Sequence, residues 1–230
     1  MDLGIITYAF PFLLEGVKIT LLIAVFGIVL GLPLGVLVGL ARGSKNRVLR
    51  GFCDAYCAIF RGTPMLVQIF VIYYGLAQVS FIRHNPVLWW MIGDGLHAAI
   101  LAVVLNSGAY TAETFRSAFN SLPKGLIEAA EACGMKPWHI FLRIKFPLAL
   151  RQALPAYSSE VAIIVKESSL ASAITVLEIT GYAKRLMSET FAVMDIFVIT
   201  AAFYLVISVI ALMAMKLLER RLAIPGLNQS

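Results

Sequence analysis

Charged residues are scarce in this sequence of 230 residues. Asp, Glu, Lys and Arg make up 14% of it and hydrophobic residues 60%, and the mean hydropathy is +0.86. A soluble domain usually contains about 25% charged residues, so most of this chain's surface is expected to face lipid or other apolar protein. The apolar residues form long runs, which predict a bundle of membrane-spanning helices rather than a β-barrel of short alternating strands.

The sequence also lacks the residues that several kinds of site require. Cys53, Cys57 and Cys133 form no disulfide framework, and no His or acidic residue accompanies them at metal-ligand spacing. There is no G-x-x-x-x-G-K-[ST] segment to hold a nucleotide phosphate, and no Ser–His or His-Glu-x-x-His arrangement for hydrolysis. We therefore expect the chain to bind no metal or cofactor and not to be an enzyme.

Five apolar segments approach the roughly 20 residues that a helix needs to cross the hydrocarbon of a bilayer. They predict an all-α integral membrane protein with about five transmembrane helices. Residues 1–16, which contain Pro11 and Glu15, predict an N-terminal lead helix at the membrane interface or an incomplete sixth span. The five predicted spans are residues 17–40, 65–82, 96–112, 156–176 and 196–218.

Lys and Arg are distributed unequally between the two sides of these spans. Fourteen lie in the connections after spans one and three and beyond span five, four lie on the opposite side, and Lys166 lies within span four. Cytoplasmic connections carry the excess of Lys and Arg. We therefore expect a periplasmic N-terminus, a cytoplasmic C-terminus and a cytoplasmic 114–155 connection. The net charge of +6 then reflects loops beside anionic lipid rather than nucleic-acid binding.

Span one contains a regular series of glycines. Gly27, Gly31, Gly35 and Gly39 are each four residues apart. This spacing places them in one stripe along a helix, where the backbone of another helix can approach closely. The stripe predicts a helix-packing face, and Pro33 within it predicts a kink.

The 121–147 segment is a polar island in the apolar chain. Pro123 and Pro137 suit the first turns of two short helices, Gly134 suits a left-handed helix end, and Pro147 is expected to close the second helix. A simple connector between spans does not need this much structure. Two interpretations remain open, namely an amphipathic helix that lies on the membrane and a docking surface for a partner protein.

Spans three and four carry polar and ionisable residues, which are costly inside a membrane and mark candidate functional sites. Asn106 lies on a polar face of span three, and Glu160 shares a face of span four with Glu167. A zwitterionic amino acid needs an acceptor for its ammonium group, as Glu160 and Glu167 provide, and donors for its carboxylate, as Lys166 and Ser169 provide. Alternatively, these residues form ion pairs that fix helix packing.

The polar island also carries a sequence pattern, E-A-A-x3-G-x9-I-x-x-P. It resembles the cytoplasmic coupling loop of permease subunits in ATP-binding-cassette importers, which inserts into a groove of the ATP-binding subunit. Phe146 stands where that family usually has Leu, which is a mild departure. The residues that this resemblance implies in coupling are Glu128, Ala129, Ala130, Gly134, Ile144 and Pro147.

Three further motifs resemble the polar amino-acid permeases of that family, of the histidine and glutamine permease type. They are R-G-T-P at 61–64, A-Y-x-x-E at 109–113 and K-E-S-S-L at 166–170. With the loop, the resemblance covers about residues 14–220. It implies a single permease domain, residues 1–230, with the type I importer permease fold and a coupling loop at 121–147.

The resemblance further implies a function and partners. The chain is expected to translocate polar amino acids, or derivatives such as opines, across the bacterial inner membrane into the cytoplasm. ATP and Mg would be used by a separate ATP-binding cassette subunit, present in two copies. The other implied partners are a second permease chain, identical or related, a periplasmic solute-binding protein and membrane lipid. The identity of the solute, and whether this chain contacts it, remain open.

An ion-coupled secondary transporter is the alternative function. In that hypothesis Glu160, Lys166 and Glu167 couple the movement of ions to that of the solute. Such transporters are commonly built from inverted repeats, and no internal repeat is present in this sequence. That absence weighs against the alternative.

Overall fold

The computed structural model describes residues 3–222, and all regular secondary structure in that part of the chain is helical, as predicted. π-helical turns lie at Val71–Gly75 and Phe141–Lys145, and 3-10 segments lie at Leu76–Gln78 and Ser168–Ile174. The α-helices are α1 (Leu3–Ala41), α2 (Arg47–Gly62), α3 (Met65–Phe70), α4 (Ser80–His84), α5 (Pro86–Ile92), α6 (Gly95–Asn120), α7 (Lys124–Ala132), α8 (Pro137–Ile140), α9 (Phe146–Glu167), α10 (Ile179–Thr190) and α11 (Val193–Leu222).

Helix α1 is one continuous helix of 39 residues that includes both Pro11 and Pro33. The predicted separate lead helix is therefore wrong for the described residues, since residues 3–16 form the first turns of α1. At a rise of 1.5 Å per residue, α1 is about 58 Å long, well beyond the hydrocarbon thickness of a bilayer. A helix end in apolar surroundings leaves backbone groups without partners, so continuing through a proline costs less than stopping at it.

Three helices are long and apolar enough to cross a membrane, namely α1, α6 and α11. The helix α2 and the helical segment Met65–Gln78, which begins with α3, qualify together as a fourth only if a bend of 109° between them is allowed. Thr63 and Pro64, between the two helices, have extended backbone angles, because proline disfavours helical geometry in the residue before it. The described chain thus contains three clear apolar spans and one broken candidate, and the predicted count of five is not established by these helices alone.

Helix α6 is the centre of the bundle. Its apolar segment is 61% buried, whereas those of α1 and α11 are 28% and 22% buried. Helix α1 packs along α6, and the glycine stripe of α1 faces α6. A Cβ atom added at Gly27 would lie 2.6 Å from Val103 Cγ1, and one added at Gly39 would lie 2.8 Å from the Ala112 carbonyl. At Gly31 and Gly35 the nearest atoms belong to the side chains of Ser107 and Thr111 on α6. The two backbones approach this closely only because these α1 positions lack side chains.

The buried carboxylate of Glu178 connects α10 to α1 and α11. Glu178 is 0% exposed and caps α10 by accepting hydrogen bonds from the backbone N–H groups of Thr180, at 3.0 Å, and Gly181, at 2.8 Å. The hydroxyl groups of Tyr204 on α11 and Thr20 on α1 also donate to it. This capping interaction fixes the position of α10 between α1 and α11.

The 121–147 segment contains the two predicted short helices, α7 and α8. Gly134 ends the turn after α7 with φ = +74°, a left-handed conformation that glycine adopts without steric cost. Pro147 does not close the second helix, so that expectation is wrong. It lies at the start of α9, directly after the π-helical turn at Phe141–Lys145, and the chain stays helical through it.

Candidate solute cavity and coupling surface

An open cavity of about 440 Å³ lies between α6 and α9, in the halves of these helices that adjoin the 121–147 segment. Polar residues of the two helices therefore share this cavity. Of the residues proposed to bind solute, Glu160 lines this cavity. The lining residues are Arg61, Tyr110, Glu113, Thr114, Ser117, Ala118, Ser121, Gln152, Ala153, Ala156 and Glu160.

Glu160 is a nearly buried acid on the cavity wall. It is 9% exposed, and no residue within 3–222 forms a hydrogen bond or an ion pair with its carboxylate. A carboxylate in such surroundings is stabilised by an opposite charge, which a solute can bring with it. The chemistry of this wall therefore suits an ammonium, imidazolium or guanidinium group.

Asn106 lies elsewhere, in a buried polar network at the break between α2 and α3. It is 3% exposed, and its Nδ2 donates to the Phe60 carbonyl at 3.1 Å and to Gln68 Oε1 at 2.9 Å. Gln68 Nε2 donates to the carbonyls of Phe60 and Thr63 at 2.8 and 2.9 Å. The two amide side chains satisfy carbonyls that the broken helix cannot pair internally.

Gln68 was missed by the sequence interpretation. Its signal is an amide side chain inside an apolar run, four residues after a proline that ends a helix. One polar atom of the network, Asn106 Oδ1, is buried without a partner. In this arrangement Asn106 supports the break in the helix, and its predicted contact with solute remains a prediction.

Lys166, Glu167 and Ser169 do not line the cavity. They lie at the far end of α9 and in the 3-10 segment after it. Lys166 is about 9 Å further along the helix axis than Glu160, at 1.5 Å per residue. Lys166 is exposed, whereas Glu167 and Ser169 are half-buried. The structure thus separates these three residues from the cavity, and their role in binding solute also remains a prediction.

An ion cluster closes one side of the cavity. Glu113 on α6 accepts from Arg42 Nη1 at 2.6 Å, from Arg61 Nη1 at 2.9 Å and from Arg116 Nε at 3.4 Å. Arg42 also donates from Nε to Asp54 at 2.7 Å. Burial lowers the pKa of Arg42, but its hydrogen bonds to Glu113 and Asp54, together with nearby negative charge, leave that pKa above its usual value. The cluster ties α1, α2 and α6 together at one end of the bundle.

Three of the six residues proposed for coupling are accessible, on α7 and in the turn after it. Glu128, Ala129 and Gly134 are exposed, whereas Ala130 is buried and faces the protein. Ile144 and Pro147 are half-buried where the chain returns to α9. The exposed atoms of Glu128 and Ala129 are available to a partner.

A row of aromatic rings fixes this segment to the end of α6. The Phe141 ring stacks 6.2 Å from Phe119 on α6 and 6.0 Å from Trp138, and it lies 6.1 Å from Phe146 (distances between ring centroids). Such aromatic contacts contribute stability beyond the area that they bury. Movement of the loop is therefore expected to be transmitted to α6 and α9.

Comparison with known proteins identifies the family. Residues 27–224 match the family described as "Binding-protein-dependent transport system inner membrane component". The chain belongs to this family. It is 43% identical over 219 residues to the nopaline transport system permease protein NocM of Agrobacterium fabrum (strain C58 / ATCC 33970), an alignment that covers 95% of this chain and 91% of the relative.

A second relative and two solved structures are also similar to this chain. The histidine/lysine/arginine/ornithine transport system permease protein HisM of Salmonella typhimurium is 37% identical, with 90% of this chain and 88% of the relative covered. A crystal structure of an amino acid ABC transporter with histidines has a TM-score of 0.84 at 28% identity, covering 96% of this chain and 99% of that one. The MetNI methionine ABC transporter, with a TM-score of 0.72 at 23% identity over 97% and 100% of the two chains, shares the fold.

The ion cluster gives a stability prediction. Replacing Glu113→Gln leaves Arg42, whose side chain is 10% exposed, with Asp54 as its one anionic partner. Losing one partner of a largely buried pair is expected to cost about 2 kcal/mol, which lowers the midpoint of thermal unfolding in detergent by about 4–8 °C. The matched control is Glu15→Gln, whose pair with Lys18 is exposed and is expected to contribute under about 1 kcal/mol. Equal midpoints for the two variants would contradict the prediction.

Proposed function

We propose that this chain is the membrane-spanning permease subunit of an ATP-binding-cassette importer that moves polar amino acids or opines into the cytoplasm. The observation that carries the proposal is its membership of the binding-protein-dependent transport family over residues 27–224. The named relatives transport nopaline, octopine, arginine, glutamine or the histidine group of amino acids. The unpaired acid on the cavity wall supports a solute with a cationic group.

In this proposal residues 1–230 form one permease domain with five spans in the bacterial inner membrane. In sequence order, the five spans are α1, the broken pair that α2 and α3 begin, α6, α9 with its 3-10 extension, and α11. The excess of Lys and Arg in alternate connections supports a periplasmic N-terminus and a cytoplasmic 121–147 segment. The cavity then opens towards the cytoplasm, on the exit side of the solute path.

The coupling surface contacts a separate ATP-binding subunit. Glu128 offers a carboxylate and Ala129 a small exposed contact, while the left-handed turn at Gly134 ends the docking helix. Two such subunits would bind two permease chains, identical or related, and a periplasmic binding protein would deliver the solute. ATP and Mg would act in the ATP-binding subunits. ATP binding would favour one permease conformation through differential contacts at these loops.

The solute path passes Glu160 in the cavity, with Lys166, Glu167 and Ser169 further along α9 and Asn106 behind the helix break. Polar residues follow one another along α9, so a solute can exchange hydrogen-bond partners as it moves along this helix. These assignments rest on residue chemistry and on the position of α9 beside the cavity.

The direct test is uptake in proteoliposomes that contain this chain with its ATP-binding subunit and binding protein. We expect uptake of labelled amino acids or opines that requires ATP inside the vesicles and stops when ATP is omitted. Uptake driven by a proton or sodium gradient without ATP would support the secondary transporter and overturn the proposal. Vesicles with the permease alone are the control.

The coupling surface gives a second prediction. Replacing Glu128→Arg reverses the charge of an exposed side chain on α7, so we expect loss of copurification with the ATP-binding subunit and loss of solute-stimulated ATP hydrolysis. The permease itself should remain folded, because Glu128 makes no buried contact. The matched control is Glu189→Arg, which reverses the charge of an exposed residue at the C-terminal end of α10, on the opposite side of the membrane. Normal copurification of the Glu128→Arg variant would contradict the assignment.

The cysteines supply a test of orientation. Cys133 is exposed beside Gly134, whereas Cys53 and Cys57 are buried. A membrane-impermeant maleimide is therefore expected to label Cys133 in inside-out vesicles and to leave it unlabelled in intact spheroplasts. In a Cys133→Ser background, a Ser188→Cys substitution at an exposed position of α10 should give the reverse pattern. Labelling of Cys133 from outside would overturn the proposed topology.

A further inference from the structure

Among the residues within 3–222 that line the cavity, Arg61 is the one cation. It lies in the last turn of α2, and its guanidinium carbon is 5.5 Å from the centre of the Tyr110 ring. The aromatic face and the ion pair with Glu113 hold the guanidinium at the cavity wall. Its side chain is 38% exposed, whereas that of Arg42 in the same cluster is 10% exposed. Of these two arginines, Arg61 is therefore the one that a molecule in the cavity can reach.

The ion cluster holds more positive than negative charge. The guanidinium groups of Arg42, Arg61 and Arg116 face the carboxylates of Glu113 and Asp54. One positive charge is left over. Arg61 bonds Glu113 through Nη1 alone, and within residues 3–222 no acceptor takes its Nε or Nη2. A planar guanidinium can bind a carboxylate through two parallel hydrogen bonds, so an anionic group in the cavity has donors available.

The cavity thus carries two poles of opposite sign. One wall presents Glu160 without a cationic partner, and the other presents Arg61 with the excess positive charge of the cluster. A zwitterion that bridges the cavity neutralises both poles at once. A solute without a carboxylate can satisfy the Glu160 pole only.

We propose that Arg61 is a specificity-determining residue that binds the carboxylate of the translocated amino acid or opine. This inference rests on the proposed function. Without solute, Arg61 is held by Glu113. When solute is present, its carboxylate takes up the free Nε and Nη2 donors of Arg61, and its cationic group lies towards Glu160. An opine, which has more than one carboxylate, has further anionic oxygens for the same pole.

The test compares solutes that differ by the carboxylate. The purified complex of this chain with its ATP-binding subunit is used without the binding protein, since that protein makes its own selection. Equilibrium binding is measured for L-arginine and its decarboxylated form, agmatine, and for L-histidine and its decarboxylated form, histamine. We expect Arg61→Gln to raise the Kd of the amino acid by about tenfold or more, the effect of losing a hydrogen bond between charged groups, and to leave the Kd of the amine unchanged.

Two further variants separate recognition from structure. Arg61→Lys keeps the charge but loses the planar pair of donors, so it should weaken amino-acid binding less than Arg61→Gln. Arg116→Gln removes the excess positive charge of the cluster but leaves the donors of Arg61 at the cavity wall, so it should weaken amino-acid binding less than Arg61→Gln does and leave the Kd of the amine unchanged. Equal weakening of amino acid and amine by Arg61→Gln would overturn the inference, as would no weakening of the amino acid or a wild-type complex that binds neither acid. Failure of the proposed function is distinguished by the absence of ATP-dependent uptake in the intact system.

Discussion

The close contact between α1 and α6 is the interaction on which the rest of this molecule depends. Four glycines on α1 let its backbone approach side chains and carbonyls of α6 at distances that a Cβ atom would not allow. Because α1 and α6 are parallel neighbours over much of their length, Arg42 just beyond the end of α1 comes within 2.6 Å of Glu113 on α6. That pair anchors α2, and α2 carries Arg61 to the cavity. Van der Waals contact in an apolar setting thus determines the position of a polar site.

Several of the buried polar side chains in this protein form hydrogen bonds with backbone groups that lack a partner within a helix. Gln68 and Asn106 pair the carbonyls that are released where α2 breaks from α3. Glu178 pairs the first N–H groups of α10. A bilayer provides no water for such groups, so each break in a helix requires side chains that replace the missing bonds. Glu160 differs from these residues because its carboxylate lies on a cavity wall and pairs no backbone group. It is therefore the strongest candidate for contact with a solute.

Local residue chemistry predicted some features of the structure well and others poorly. The turn at Gly134 follows from the freedom of glycine at positive φ, and the helices α7 and α8 follow from their proline and alanine content. The expectation that Pro147 closes a helix was wrong. Proline ends a helix only if the released backbone groups find other partners, and otherwise the helix continues through it, as α1 does at Pro11 and Pro33. Which of these holds depends on what surrounds the proline, and local sequence does not contain that information.

The sequence by itself determined that this chain is an apolar helical protein with a polar, structured loop, because composition, helical periodicity and turn chemistry are local properties. Its motifs also indicated the transport family to which the chain belongs. Only the tertiary structure decided which polar residues share a space. It brought Arg61, Glu113 and Glu160, from three different helices, to one cavity, buried Asn106 behind a helix break and left Lys166 further along α9. The reason is physical: the meeting of residues far apart in sequence depends on helix packing and on where a helix breaks, and both are properties of the whole bundle.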